Sequence, residues 1–263
     1  MKSPSAVPRL TALRCLRYLY RVPLLLLHLL LGLPLVLLAM LPPWRDWHVA
    51  GVRLEERAVR CWSGALLWLF GLRVRRRGQP LAGGVLMVAN HVSWVDIEMI
   101  HSQLLVGFVA KAEIRNWPLV GWLAARGQTI FHQRGSTESL GGVMDEMTAR
   151  LRQQRPVAVF PEGRTRDGSE VGPFHARIFT CAVEAAVPVQ PVALRYGRAG
   201  AAQTVVAFGP REHFVGNFLR LLGEPARVAE VHFLEPIPAG ALPQRRQIAE
   251  CARARIVTVM AGP

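Results

Sequence analysis

An imidazole and a carboxylate stand five positions apart in Asn90-His91-Val92-Ser93-Trp94-Val95-Asp96, directly after the apolar run VLMVA. A histidine at a strand end, in the loop that opens a helix, is held firmly yet left accessible. An aspartate in the first helical turn can fold back onto the ring, fix its tautomer and stabilise the imidazolium once it has taken a proton. Asp96 also suits the positive end of the helix dipole, and Ser93 is placed to cap the helix. The chemistry on offer is general-base catalysis. Ser93 is the rival as a nucleophile, but its place in the loop suits a cap better. Alone, such a pair is more often a cap plus an ordinary hydrogen bond.

Three further segments add to it. Gly127-Gln128-Thr129-Ile130-Phe131-His132-Gln133-Arg134 ends an apolar run in an arginine. Phe160-Pro161-Glu162-Gly163-Arg164-Thr165-Arg166 ends another in a turn with one carboxylate and two guanidiniums. Val187-Pro188-Val189-Gln190-Pro191-Val192 begins a third with prolines. Loops after strand ends are where α/β folds gather ligand sites. Together they would set a base beside a phosphate clamp of Arg134, Arg164 and Arg166. Any one of these arginines taken singly reads as a surface ion pair.

With those residues in view, the sequence resembles the glycerolipid (lysophospholipid) acyltransferase family, whose best-known class is 1-acylglycerol-3-phosphate O-acyltransferase. NHVSWVD is similar to its first motif, GQTIFHQR to its second, FPEGRTR to its third and VPVQPV to its fourth, in the family's order over residues 78–210. The resemblance implies that His91 deprotonates the acceptor hydroxyl and that Asp96 orients and charges it. It implies a substrate-binding set of Asn90, Ser93, Arg134, Glu162, Gly163, Arg164, Thr165 and Arg166, with Arg134, Glu162 and Gly163 shaping the head-group pocket. Two departures stand out. The family commonly has Thr-Arg after Glu-Gly, whereas this chain has Arg164-Thr165-Arg166, which leaves open the arginine that faces the acceptor. His175 stands where many relatives have lysine.

The implied reaction needs no metal or cofactor: an acyl group passes from acyl-CoA or acyl carrier protein to a lysolipid. The acceptor it suggests is 1-acylglycerol-3-phosphate, giving phosphatidic acid, with lyso-ornithine lipid or another lysophospholipid as alternatives. A reading of another class is a non-catalytic, basic protein that binds membranes or anionic lipid. A hydrolase using the same base on water is a third.

The elements that must hold these groups are short β-rich runs alternating with helical patterns. Strands are expected at 85–89, 107–110, 129–132, 157–160, 189–194, 204–208 and 228–234, and helices at 94–104, 118–126, 137–154 and 176–186. That alternation predicts an α/β domain with a mixed, mostly parallel sheet flanked by helices. No Walker A, G-x-G-x-x-G or G-x-S-x-G motif is present, which weighs against nucleotide-binding and α/β-hydrolase readings.

Residues 22–44 contain no Asp, Glu, Lys or Arg and are mostly leucine, long enough to cross the hydrocarbon core. A secretory signal peptide competes, but no small-x-small cleavage site follows Met40. Arg14, Arg17 and Arg21 share a helical stripe and are expected to reach lipid phosphates. Cys61–Leu72 is apolar but, at about 18 Å of helix, too short to span. Residues 10–72 therefore read as two helices joined at Pro42-Pro43-Trp44. They either dip into one leaflet or cross once and return partway, and the second helix packing on the soluble core is the plainer alternative.

The basic run Arg73, Arg75, Arg76, Arg77 follows, as a lipid- or phosphate-binding segment or a solvated loop. The apolar residues of 214–222 form a second interfacial patch or a helix covering the sheet. The expected division is a membrane-associated hairpin at 1–77 and a catalytic domain at 78–263.

Composition agrees. In 263 residues, 32 Lys+Arg against 18 Asp+Glu give a net charge of +14, and 51% of residues are hydrophobic. Disorder is excluded, and a polyanionic or membrane partner is favoured. The basic residues follow no nucleic-acid pattern. Four scattered cysteines suit a reducing compartment rather than a disulfide or zinc framework. The expected location is the inner membrane with the catalytic domain on the cytosolic side. Basic flanks favour a cytosolic N-terminus, and a re-entrant hairpin keeps His91 on that same side.

Overall fold

The computed structural model describes residues 11–117, 120–133 and 137–262. Seven strands form one sheet: β1 (Leu72–Arg77), β2 (Leu86–Ala89), β3 (Gly107–Lys111), β4 (Ile130–His132), β5 (Val157–Val159), β6 (Val189–Tyr196) and β7 (Arg227–Phe233). Their order is β1-β7-β6-β2-β5-β3-β4. Every adjacent pair is parallel except β6 and β7. This is the mixed, mostly parallel sheet expected. β2 lies at its centre with no residue more than 1% exposed, as a strand covered on both faces must.

The helices are α1 (Ala12–Ala39), α2 (Leu54–Leu69), α3 (Val95–His101), α4 (Val120–Arg126), α5 (Thr137–Arg152), α6 (Thr180–Glu184), α7 (Gln203–Val206), α8 (Phe214–Leu222) and α9 (Arg245–Ala261). One apolar cluster joins α2, α3 and α8 to one face of the sheet, and a second joins α5, α6 and α9 to the other.

Two strand expectations are corrected. Residues 204–208 look like a strand because TVVAF is β-branched and aromatic, yet α7 lies there. β7 already occupies the ladder beside β6, and Gln203 turns inward to accept the Tyr196 N–H at 2.9 Å. Conversely, the run Arg73–Arg77 is neither loop nor linker but most of β1. An edge strand tolerates charge because one side of it meets water. The sheet therefore takes in residues ahead of the boundary expected after residue 77. The expected helix at 176–186 divides into a 3₁₀ turn, Ala176–Phe179, and α6.

α1 runs 28 residues and is long and apolar enough to cross a membrane. One π-helical turn, His28–Gly32, interrupts it. There the His28 ring stacks on Trp62 of α2 at 3.9 Å, and a Cβ on Gly32 would meet that indole at 3.2 Å. The glycine lets the two helices close. α2 packs back on α1 and also lies against α3, as the plainer reading of a helix packed on the core expects.

The arginines of α1 bond to the catalytic domain. Arg14 donates to the Arg220 carbonyl at 2.8 Å, Arg17 to Gly223 at 3.1 Å, and Arg21 to Leu222 and Glu224 at 2.8 and 2.7 Å. The carbonyls at the end of α8 carry partial negative charge, which guanidinium forks satisfy. Gly71 makes room for Arg21: its φ is +77°, and a Cβ there would lie 2.5 Å from the guanidinium.

Candidate active site

Because β2, β5 and β6 are parallel, their C-terminal ends deliver three segments to one end of the sheet: the 90–96 loop, the 160–166 turn and Tyr196. His91 leaves β2 with its side chain 16% exposed. Its ring stacks on Phe160 at 3.9 Å and 12°. Nδ1 lies 2.8 Å from Asp96 Oδ2, while Nε2 has no partner among the described residues.

Asp96 is fully buried and saturated with donors. Oδ2 also accepts the main-chain N–H groups of Val92 at 2.7 Å and Ser93 at 2.8 Å. Oδ1 accepts the Tyr196 hydroxyl at 2.5 Å. Burial pushes the Tyr196 phenol well above its ordinary range, and the Asp96 charge adds to the shift, so the phenol remains a donor. An imidazole held at Nδ1 with Nε2 open can take a proton from a hydroxyl.

Glu162 is 3% exposed. It accepts the His91 N–H at 2.9 Å through Oε1 and the Gly172 N–H at 2.8 Å through Oε2. Arg166 Nε lies 3.3 Å from Oε2, an ion pair without hydrogen-bond geometry. Burial pushes the Glu162 carboxyl above the usual carboxylate range, against the pull of both N–H donors and Arg166. Gly163 takes φ +71°, with the His175 ring 3.1 Å from where a Cβ would sit. Thr165 is half-buried, and Arg164 is exposed with no polar partner among the described residues.

A family model described as Acyltransferase matches residues 72–195. A lyso-ornithine lipid O-acyltransferase of Pseudomonas aeruginosa is 35% identical over 209 residues, 80% of each chain. The chain belongs to the glycerolipid (lysophospholipid) acyltransferase family. It is an acyltransferase. A 1-acyl-sn-glycerol-3-phosphate acyltransferase of Neisseria gonorrhoeae is 38% identical over 135 residues, 51% of this chain and 53% of that one. The fold is shared with the 1-acyl-sn-glycerophosphate (LPA) acyltransferase PlsC from Thermotoga maritima. That match has a TM-score of 0.73 and 18% identity over 94% of both chains.

Within this acyltransferase, several residues expected to touch substrate bond to the scaffold. Both ends of the Asn90 amide are taken by the Leu194 backbone, at 2.8 and 3.0 Å, so Asn90 extends the ladder between β2 and β6. Ser93 is fully buried, and its hydroxyl donates to Asn217 Oδ1 at 3.3 Å rather than capping α3. Asp96 itself gathers the free N–H groups at that end. The Glu162 carboxylate is occupied by main-chain donors and Arg166. Arg134 lies outside the described residues.

Two residues went unnoticed in the sequence. Tyr196 could have been found from strand alternation, since it follows Val192 and Leu194 on one face of β6. Asn217, on α8, accepts from both Ser93 and the Trp94 indole N–H at 3.1 Å, and only its polarity on an apolar helix face marks it. α8 both covers the core and faces outward: Phe214 and Phe218 pack on Trp94, while Val215 and Leu219 are exposed.

Proposed function

We propose that this acyltransferase esterifies the hydroxyl of a lysolipid with a fatty acyl group from acyl-CoA or acyl carrier protein. The observation that carries the reading is His91, tied at Nδ1 to a buried carboxylate and open at Nε2. His91 takes the hydroxyl proton at Nε2 as the oxygen adds to the thioester carbonyl. The C–S bond then breaks, and the imidazolium returns its proton to the departing thiolate. No acyl-enzyme forms, in keeping with a Ser93 hydroxyl sealed against Asn217. General-base help of this kind supplies about 10²–10⁴ in rate, and positioning supplies much of the rest.

A lyso-ornithine lipid is the acceptor best supported, because relatives so named match over most of this chain: 80% for the Pseudomonas protein and 72% for one from Brucella abortus at 33% identity. A second reading, 1-acylglycerol-3-phosphate, draws on the Neisseria relative and on Arg164, whose exposed guanidinium suits a phosphate as well as a carboxylate. The site works at the membrane surface, with α1 in the bilayer and the catalytic domain on the cytosolic side, where acyl thioesters are made.

The test is mass spectrometry of products from purified protein given lyso-ornithine lipid, 1-acylglycerol-3-phosphate and other lysolipids, each with acyl-CoA or acyl carrier protein. Ester formed only with both substrates and absent from His91→Ala supports the reading. Thioester loss without an acceptor would establish the hydrolase. Preference for the phosphate acceptor would move the substrate to the second reading.

A further inference from the structure

We propose that Tyr196 is a positioning residue of the acid–base relay, its hydroxyl setting the orientation and basicity of the carboxylate that holds His91. The proposal rests on the reading of His91 as the general base.

The placement comes from the sheet. Asn90 pairs through its side chain with Leu194, so β6 stays in register past the end of β2 and carries Tyr196 beneath Asp96. The backbone around it is fixed. The Tyr196 N–H bonds to Gln203 Oε1 at 2.9 Å, and its carbonyl accepts the Ala202 N–H at 2.9 Å. The ring is fully buried in the core shared by β2, α3 and α8.

A phenylalanine would fill that volume without burying a hydroxyl, which costs free energy unless it is bonded. The hydroxyl meets Asp96 Oδ1, and the two oxygens of Asp96 divide their work. Oδ2 serves His91, Val92 and Ser93; among the described residues, Oδ1 serves Tyr196 alone.

Two consequences follow. With three donors on one oxygen and none on the other, the carboxylate could pivot, and the phenol stops that. A donor on Oδ1 also draws charge from the carboxylate, which weakens its pull on the imidazole that it holds. No proton leaves the phenol, and burial keeps it protonated.

Other charged or titratable groups face the relay from neighbouring elements. Glu162 and Arg166 hold the His91 backbone, and Arg164 and His175 flank them. Glu212 reaches it through Asn217 of α8. None of them contacts the phenol oxygen among the described residues.

The experiment compares purified full-length wild-type, Tyr196→Phe and His91→Ala proteins in lysolipid acylation across pH. Tyr196→Phe is expected to lower kcat about tenfold, the scale of a hydrogen bond to a charged group. KM for both substrates should stay within about twofold, and the acid limb of kcat/KM should move to higher pH. A wild-type kcat and an unmoved limb overturn the proposal. So does a loss shared equally by kcat, KM and thermal stability, which marks a packing role.

An active His91→Ala protein sinks the general-base reading itself, whatever Tyr196→Phe does. If Tyr196→Phe does not fold, 3-fluorotyrosine at the same position keeps the shape and makes a stronger donor. The acid limb should then move to lower pH, and a limb that stays put overturns the proposal.

Discussion

Glu162 and His91 are joined through the main chain. Glu162 Oε1 accepts the His91 N–H at 2.9 Å, and the same turn returns the Arg166 N–H to the His91 carbonyl at 2.8 Å. Both backbone groups of the proposed base are thus held by the third-motif loop. Glu162→Gln keeps one acceptor but sets an amide N–H₂ against a main-chain donor and leaves Arg166 without its counter-charge. The expected result is a kcat lower by about tenfold or more, with the thioester KM unchanged. A rise confined to the lysolipid KM would return Glu162 to the head-group contact expected from the sequence.

Arg21 tests the coupling of the membrane helix to the catalytic domain. It is 3% exposed and bonds to the Leu222 carbonyl at the end of α8 and the Glu224 carbonyl just past it. Arg21→Met keeps most of the side-chain stem and removes the guanidinium. Leaving such carbonyls unpaired should cost about 1–3 kcal/mol, read as a lower Tm in detergent. Turnover should fall as well, because α8 carries Asn217 and, through it, Ser93 and Trp94. An unchanged Tm combined with release from vesicles would restore the lipid-phosphate contact instead.

The exposed leucines of α1 should answer differently. Leu30 and Leu35 are 71% and 65% exposed. Leu30→Glu with Leu35→Glu places two carboxylates where hydrocarbon is expected, at about 2.5–3.5 kcal/mol for each charge near the bilayer centre. Flotation with phospholipid vesicles should show the double variant released while His91→Ala floats like wild type. Retention of the double variant would mean that α1 is covered by something other than lipid.

Legibility in the sequence followed the range of the interaction. The strand-to-helix loop at His91 and the central strands were readable because short continuous apolar runs and motif spacing are local. The fold-back of Asp96 onto His91 was readable for the same reason, and the 2.8 Å contact agrees with it. What was missed depends on partners far along the chain. Tyr196 lies 100 residues from Asp96, and Arg14 lies 206 from Arg220. A stripe of arginines beside leucines reads equally as lipid-facing or as a cap for a distant helix, and only the position of α8 decides. β1 was hidden because its arginines mask the pattern of an edge strand, which β7 pairs from the other end of the chain. The resemblance implies Asn90 and Ser93 as substrate contacts, whereas their side chains bond to Leu194 and Asn217, more than 100 residues away.

Glu212 gives a pH test on stability. Its carboxylate takes Arg220 on both oxygens at 2.8 Å, with Asn217 at 3.0 Å and the Gly209 N–H at 2.8 Å. Hydrogen bonding to Arg220 is the main cause that lowers its pKa to about 2, against a smaller opposing effect of burial. A carboxyl depressed in the folded state adds stability that is present above the ordinary Glu range near 4.5. That stability is lost as pH falls through about 2. Glu212→Gln should therefore unfold at a lower temperature than wild type at pH 7. The gap should narrow below pH 4.5 and close toward pH 2, followed by thermal unfolding in detergent at several pH values. A gap that stays constant across that window would mean that Glu212 acts through packing of the loop at Gly209 and not through its charge.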